Sequence, residues 1–369
     1  MIFSSSSKLR RTLILLSFAL LATLLSACGS RSVMQATSWP GVSIVENTAY
    51  IAFGQFVYSV DLDTGRSMWT FPREADRNTT FYAPPAISED GETLVVGSYN
   101  QMVYGLNAQA ATNEPLWTFE EPEDRIIGAP LIVGERVLVP TAIGRLYALD
   151  LTTGRPVWDE PFQAEHAIWS APIVQDDQVF VGGLDHYVYS LSLETGRVNW
   201  STDLGSAISD SPTLTDGLLL SGNFGGTLSA LDVKTGRVQW QFQADDSIWG
   251  SPAVQDGVAY FGDVAGEAHA IDVETGQELW RQELSGPASA SPVILDDRVY
   301  FVTEVGKMDA LLLDSGTSAW PASATMVGRL LADPLLSSEG ILVPAMESEC
   351  LIFTVEPETG AVRCLFSTE

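Results

Sequence analysis

Lysine is almost missing from this chain: it stands only at positions 8, 234 and 307, and 19 Lys and Arg together face 47 Asp and Glu, a formal net charge of −28. Such a surface repels phosphate, which argues against nucleic acid as a partner. Histidine is nearly as scarce. His166, His186 and His269 fall at unrelated offsets rather than at a metal-ligand spacing such as HxxxH, so solvent-facing or loop positions are expected and no metal site is implied. Asp185 beside His186 looks like a fragment of a site, but adjacent residues on a strand point to opposite faces. No GxSxG, phosphate loop or paired-carboxylate motif stands out, so no catalytic residues are expected. Helix signals are absent after residue 27. The long apolar run, Leu13 to Leu25, is too short to span a bilayer.

What fills the chain is one pattern, AxDxxTGxxxW, complete as Ala148, Asp150, Thr153, Gly154, Trp158, again from Ala230 to Trp240, and again from Ala270 to Trp280. Looser copies end in Trp69, Trp200 and Trp320, and the last copy ends in Cys364 where Trp belongs. Asp and Thr bond nearby backbone amides and Gly accepts a positive φ, so DxxTG makes a tight turn between two strands. A Trp on the outgoing strand then buries about 150–250 Å², at most roughly 4–6 kcal/mol, enough to fasten one unit to the next. From Trp69 to Trp320 the series Trp69, Trp117, Trp158, Trp200, Trp240, Trp280, Trp320 is spaced by 40 to 48 residues, the longest interval holding the insertion AATNEP. In phase with it run Pro40, Pro85, Pro130, Pro172, Pro212, Pro252, Pro292 and Pro334, each before a short apolar strand. Both markers count eight units of about four short strands, which predicts an all-β fold, an eight-bladed β-propeller. In blade 5 the strands are expected near 213–214, 218–222, 228–233 and 237–242, and the ring closes by packing of the first blade on the eighth, without a shared sheet.

These residues carry a resemblance. AxDxxTGxxxW with its preceding Ser-Pro or Ala-Pro strand resembles the PQQ-like, or quinoprotein-type, propeller repeat over essentially the whole stretch from Trp39 to Phe366. The eight-blade count with a lipid signal is most similar to the BamB-type lipoproteins, the scaffolds of the outer-membrane β-barrel assembly machinery. The resemblance implies a non-enzymatic interaction scaffold whose partner lies in the soluble, membrane-proximal domains of an outer-membrane insertase. It also raises a PQQ-dependent dehydrogenase, but adjacent cysteines are lacking, cations to clamp a tri-acidic quinone are few, and the repeating Asp residues are turn formers. No cofactor is therefore expected. Capture of a carbohydrate or other small ligand in the propeller's funnel is the alternative from another class.

The N-terminal segment reads as an address. Lys8, Arg10 and Arg11 precede the apolar run, and Leu25, Ser26, Ala27, Cys28 form a lipobox, so residues 1–27 are expected to be a signal peptide and Cys28 to be diacylated on its thiol and acylated on its new amine. The Arg pair serves as the charged part of that signal or marks twin-arginine export. Residues 28–38 are then a tether and 39–369 the propeller, monomeric and anchored by lipid outside the cytoplasm, on the periplasmic face of an outer membrane where the cell has one. In that oxidising setting Cys350 and Cys364, on adjacent strands of blade 8 and offset by about one residue pair, are expected either to bridge or to be two small buried side chains.

Two faces of the ring differ. Turns between first and second strands carry Glu89, Asp90, Glu135, Asp176, Asp177, Asp216, Asp256, Asp296, Asp297 and Glu339, on the side from which the DxxTG turns also project. Solvated turns and an acidic docking surface are the competing readings. On the opposite mouth, the residue three before each repeat Pro is Tyr82, Ile127, Trp169, Ser209, Trp249, Ser289 or Leu331, with Trp39 beside Pro40. Ser serves there in two blades, so the large aromatics are candidate partner residues, with Tyr99, Asn100, His186 and Phe224 in the neighbouring ring of loops. The competing reading packs Trp169 and Trp249 as core beneath their own loops.

Overall fold

The computed structural model describes residues 40–110, 114–120 and 125–368. Within these the chain forms eight four-stranded antiparallel sheets and no helix, the strands of each sheet pairing in sequence order. Blades 1 to 8 span 41–71, 86–119, 131–163, 173–203, 213–243, 253–283, 293–325 and 335–367. First strands of neighbouring blades lie against one another, as in blades 1 to 3 and 5 to 8, so they face the central axis of the propeller. In blade 5 the strands are Thr213–Thr215, Leu218–Gly222, Thr227–Asp232 and Val238–Gln243, every bound within a residue of the sequence expectation. Trp39 and Cys28, with the expected signal and tether, lie outside the described residues.

Burial explains why forty-residue units stack. No blade has a core of its own; instead the buried side chains gather into eight clusters, one per seam between consecutive blades. The seam of blades 5 and 6, for example, joins Leu220, Leu228 and Ala230 to Ala259, Phe261 and Ile271. Each Trp of the repeat sits in such a seam and donates its indole Nε1–H to a backbone carbonyl of the following blade: Trp69 to Ala108, Trp117 to Leu151, Trp158 to Leu193, Trp200 to Val233, Trp240 to Val273, Trp280 to Leu313 and Trp320 to Pro357, at 2.7–3.0 Å. The repeat glycine has a double role. Gly196 has a φ of 70°, and a Cβ on it would lie 2.6 Å from the Trp158 ring. The turn of one blade is thus the lid on the Trp of the blade before.

The last seam is built differently, because Cys364 replaces the Trp. Leu365, Phe366, Leu351 and Ile352 of blade 8 pack on Val42, Ile51, Val60 and Leu62 of blade 1, with the Phe366 ring edge-on to Tyr58 at 5.4 Å. The two sheets remain separate, so side chains close the ring. Cys350 and Cys364 form a disulfide with their Cα atoms 5.8 Å apart. Their offset is larger than one pair: Cys350 faces Ser367 and Cys364 faces Phe353, and register shifts between these pairs bring the two sulfurs together.

The turns explain the acidic face. In all the repeats with DxxT, at Asp61, Asp150, Asp232 and Asp272, the carboxylate Oδ1 accepts both the N–H and the hydroxyl of the Thr three residues on, at 2.6–2.9 Å. These hydroxyl bonds hold the four carboxyls below the usual carboxylate range. Asp176, Asp216, Asp256 and Asp296 open two-residue hairpin turns with φ between 44° and 54°, a conformation in which Asp and Asn are enriched. The acids stand there because the turn selects them. Changing Glu89, Asp176 and Asp256 to Asn is expected to alter stability by less than about 0.5 kcal/mol, read as a superimposable thermal melt.

Candidate functional site

The opposite face is made by the loops between second and third strands and the loops that lead into each first strand. An apolar anchor fixes each of the latter. Ile168 and Ile248 are fully buried, and Ile248 packs so closely on Gly222 at the end of a second strand that a Cβ there would come within 2.4 Å of it. The residue after each anchor must then point outward. Trp169 and Trp249 are 36% and 42% exposed, so they stand on the surface and are not packed as core beneath their loops.

Their neighbours form two aromatic groups. Phe224, in the second-to-third-strand loop of blade 5, stacks on Trp249 with centroids 4.5 Å apart. Tyr82 and Tyr99 meet at 5.2 Å, and the guanidinium of Arg125 lies 5.0 Å above the Tyr99 ring while Nη1 donates to its hydroxyl at 2.6 Å. Asn100 does not reach outward; its amide donates to Thr79, so it orders the loop. Arg125 escaped sequence reasoning because nothing in the repeat marks its position. Val305 and Val327, 55% and 71% exposed on the same face in blades 7 and 8, were missed likewise.

His186 closes the second-to-third-strand loop of blade 4 with a φ of 78°, where blades 3, 5, 6 and 7 have Gly144, Gly226, Gly266 and Gly306. An exposed His in a conformation that favours Gly is a departure from the repeat that the fold does not require. Asp185 lies in the same turn and not on a strand, as the sequence suggested. It is buried and accepts the Glu165 N–H and the Tyr189 hydroxyl, while His186 is exposed, so the two form no dyad.

His269 corrects the expectation of a solvent-facing or loop histidine. It is fully buried on the third strand of blade 6, its ring stacked on Phe261, with Nδ1 2.9 Å from Glu278 and Nε2 3.4 Å from Asp263. Burial raises the Asp263 carboxyl, but the bonds from His269 and the Glu267 N–H outweigh it and leave a net lowering. The group ties a loop to the fourth strand, and only Glu278 reaches solvent. Among the described residues no three His, Cys, Asp or Glu side chains are arranged to hold a metal ion.

Nearer the axis the loops of blades 5 to 8 share a polar chain. Asp210 accepts the Ser211 and Ser251 N–H groups and the Ser291 hydroxyl, and Asp333 accepts the Ser291 N–H at 2.7 Å. Neighbouring loops crowd both carboxyls, while the Asp333 side chain stays exposed.

The family model described as outer membrane protein assembly factor BamB matches three overlapping segments, residues 54–167, 144–249 and 246–364, and so most of the chain. The outer membrane protein assembly factor BamB of Burkholderia pseudomallei is 29% identical over 116 residues, 28% of this chain and 30% of that protein, so the alignment spans less than a third of the relative. Among solved structures, BamB from Moraxella catarrhalis superposes with a TM-score of 0.70 at 19% identity, over 85% of this chain and 92% of that one. The computationally designed Ika8 protein superposes with a TM-score of 0.71 at 16% identity, over 86% of this chain and 96% of that one. At these identities the superpositions speak for the fold; with its repeat and a family model matched across blades 1 to 8, this chain belongs to the outer membrane protein assembly factor BamB family.

Proposed function

We propose that this protein is a non-enzymatic, monomeric scaffold, anchored by lipid at Cys28 on the periplasmic face of the outer membrane, that holds a membrane-protein assembly complex through the mouth of its propeller. The observation that carries the reading is the set of exposed aromatic groups at positions where the repeat needs none. Ser209 and Ser289 fill the same loop position as Trp169 and Trp249, so folding does not demand a large ring there. Aromatic side chains in this setting present wide, rigid contact area and dominate binding where they cluster. Tyr82 with Tyr99, Phe224 with Trp249, Trp169 and the strained His186 are the proposed contact residues, and Trp39 is added from the sequence. Family membership supports assembly as the process served.

The test is a crosslinked pull-down from native membranes with Trp169→Ser plus Trp249→Ser. Both substitutions copy residues of neighbouring blades, and the thermal melt is expected to stay within about 1 kcal/mol of wild type. Recovery of the membrane complex is expected to fall at least about tenfold, a loss of roughly 1.4 kcal/mol or more. Undiminished recovery by a folded double mutant overturns the assignment of the mouth.

A further inference from the structure

The loop alignment of blades 4, 5 and 6 exposes a difference in what fills one groove. In blades 3 to 6 the segment after the fourth strand lies beside the second-to-third-strand loop of the next blade, and three positions look into the space between them. In blade 6 these are Asp245, Glu267 and Arg281, and the Arg281–Asp245 ion pair, at 2.8 Å, crosses the space. In blade 4 they are Glu165, Tyr187 and Ser201, with the Tyr187 ring stacked on Tyr189. In blade 5 they are Gly205, Thr227 and Gln241, short or uncharged in each case. The consequence is a cavity of about 480 Å³ bordered by Gly205, Ser206, Asn223, Thr227, Gln241 and Gln243.

Its walls are fixed before any ligand arrives. Asn223 donates to the Leu204 carbonyl and accepts the N–H groups of Gly225 and Thr227, which pins loop to strand, and Gln243 donates to the Gly225 carbonyl while accepting the Thr227 hydroxyl. What remains unused is specific in kind: the Ser206 hydroxyl, the Gln241 carbonyl oxygen, whose amide donates to Ser229, and the lone pairs of Thr227. In a chain with a net charge of −28, no side chain lining this cavity ionises.

We propose that this cavity is a binding site for a neutral, hydroxyl-rich ligand, one or two sugar units in size. Its free groups are mostly acceptors, so a ligand must bring hydroxyl donors. Without a cation in the wall, a phosphate or carboxylate loses hydration and gains no partner. A volume at the lower end of ligand-pocket sizes suits a mono- or disaccharide better than a folded partner. The site is independent of the mouth aromatics, so it stands or falls separately from the scaffold reading.

Saturation-transfer NMR and calorimetry on the purified mature chain test it, using glucose, N-acetylglucosamine, maltose and chitobiose, with glucose 6-phosphate and glucuronate as charged counterparts. At least one neutral sugar is expected to bind, and its charged counterparts about tenfold more weakly. Thr227→Arg copies Arg145 of blade 3, which donates to Gln163 as an Arg here would to Gln243, and is expected to fill the cavity and abolish the signal. Ser206→Ala, a surface change that leaves folding intact, is expected to weaken binding severalfold and keeps the test valid if the Arg variant misfolds. Trp169→Ser with Trp249→Ser is expected to bind sugar as wild type does. Absence of transfer to every neutral sugar, preference for the anionic sugars, or unchanged binding by a folded Thr227→Arg variant with unchanged binding by Ser206→Ala overturns the proposal.

Discussion

Trp158→Ala is expected to destabilise the propeller by about 3–5 kcal/mol, the largest loss from any single substitution considered, and the more telling result is how it combines with Gly196→Ala. Trp158 is 5% exposed, packs in the seam of blades 3 and 4 with Leu138, Phe162 and Leu191, and donates to the Leu193 carbonyl at 3.0 Å. Its removal leaves a cavity and an unpaired carbonyl at once. Gly196→Ala alone brings two penalties: an L-residue at a φ of 70°, about 1–2 kcal/mol, and a Cβ 2.6 Å from the Trp158 ring. Once the ring is gone only the first penalty remains. The double mutant is therefore expected to be more stable than the sum of the singles by about 1–2 kcal/mol, measured by denaturant unfolding of all four variants. Strict additivity would mean that the turn glycine is needed for its φ alone and does not serve as the lid of the seam.

That coupling shows why so much of the fold could be read from sequence. Six blades repeat the same turn with the same indole, so independent copies report one geometry, and the period survives even where blade 2 carries a long insertion or where Cys364 displaces the Trp. The mouth aromatics were legible for the same reason: a large residue shows itself where other copies have Ser. The failures share a physical cause. The unrelated offsets of the three histidines pointed to a solvent-facing or loop position for His269. In a propeller both faces of each sheet are covered by neighbours, and the third strand of blade 6 is buried at Ala268, His269, Ala270 and Ile271 in succession. Asp185 and His186 were placed on a strand when they make a turn, because blade 4 puts His where other blades put the Gly that marks the turn. The cavity of blade 5 was invisible for a further reason. It arises from three short or uncharged residues far apart in sequence, and only column-by-column comparison of the loops, asking where every column lacks a long charged or aromatic side chain, would have found it.

Stability is expected to fall as pH rises from about 5 to about 8, and Asp333→Asn is expected to remove most of that slope. Crowding by surrounding protein and the nearby Asp210 carboxylate push the Asp333 carboxyl up to about 7, against the smaller opposing effect of the Ser291 N–H; burial pushes Asp210 upward as well. In the unfolded chain both return to the ordinary range near 4. Between those values the folded protein therefore holds more protons than the unfolded one, and linkage makes stability decline with rising pH through that window and level off above it. The carboxylates of the DxxT turns and Asp263 have the opposite sign, since they sit below their ordinary values and lose their contribution only as pH falls under about 4. Between the two effects lies a maximum on the mildly acidic side of neutrality. Asn keeps an acceptor for the Ser291 N–H while removing the charge that repels Asp210. Because solvent screens the exposed Asp333, the gain at pH 8 is expected to be discounted to about 1–2 kcal/mol, a rise in Tm of roughly 2–6 °C. Thermal melts of both proteins at pH 5, 6, 7 and 8 decide the matter: parallel curves would mean that the two carboxylates ionise freely, and convergence at pH 5 with separation at pH 8 is the outcome this geometry requires.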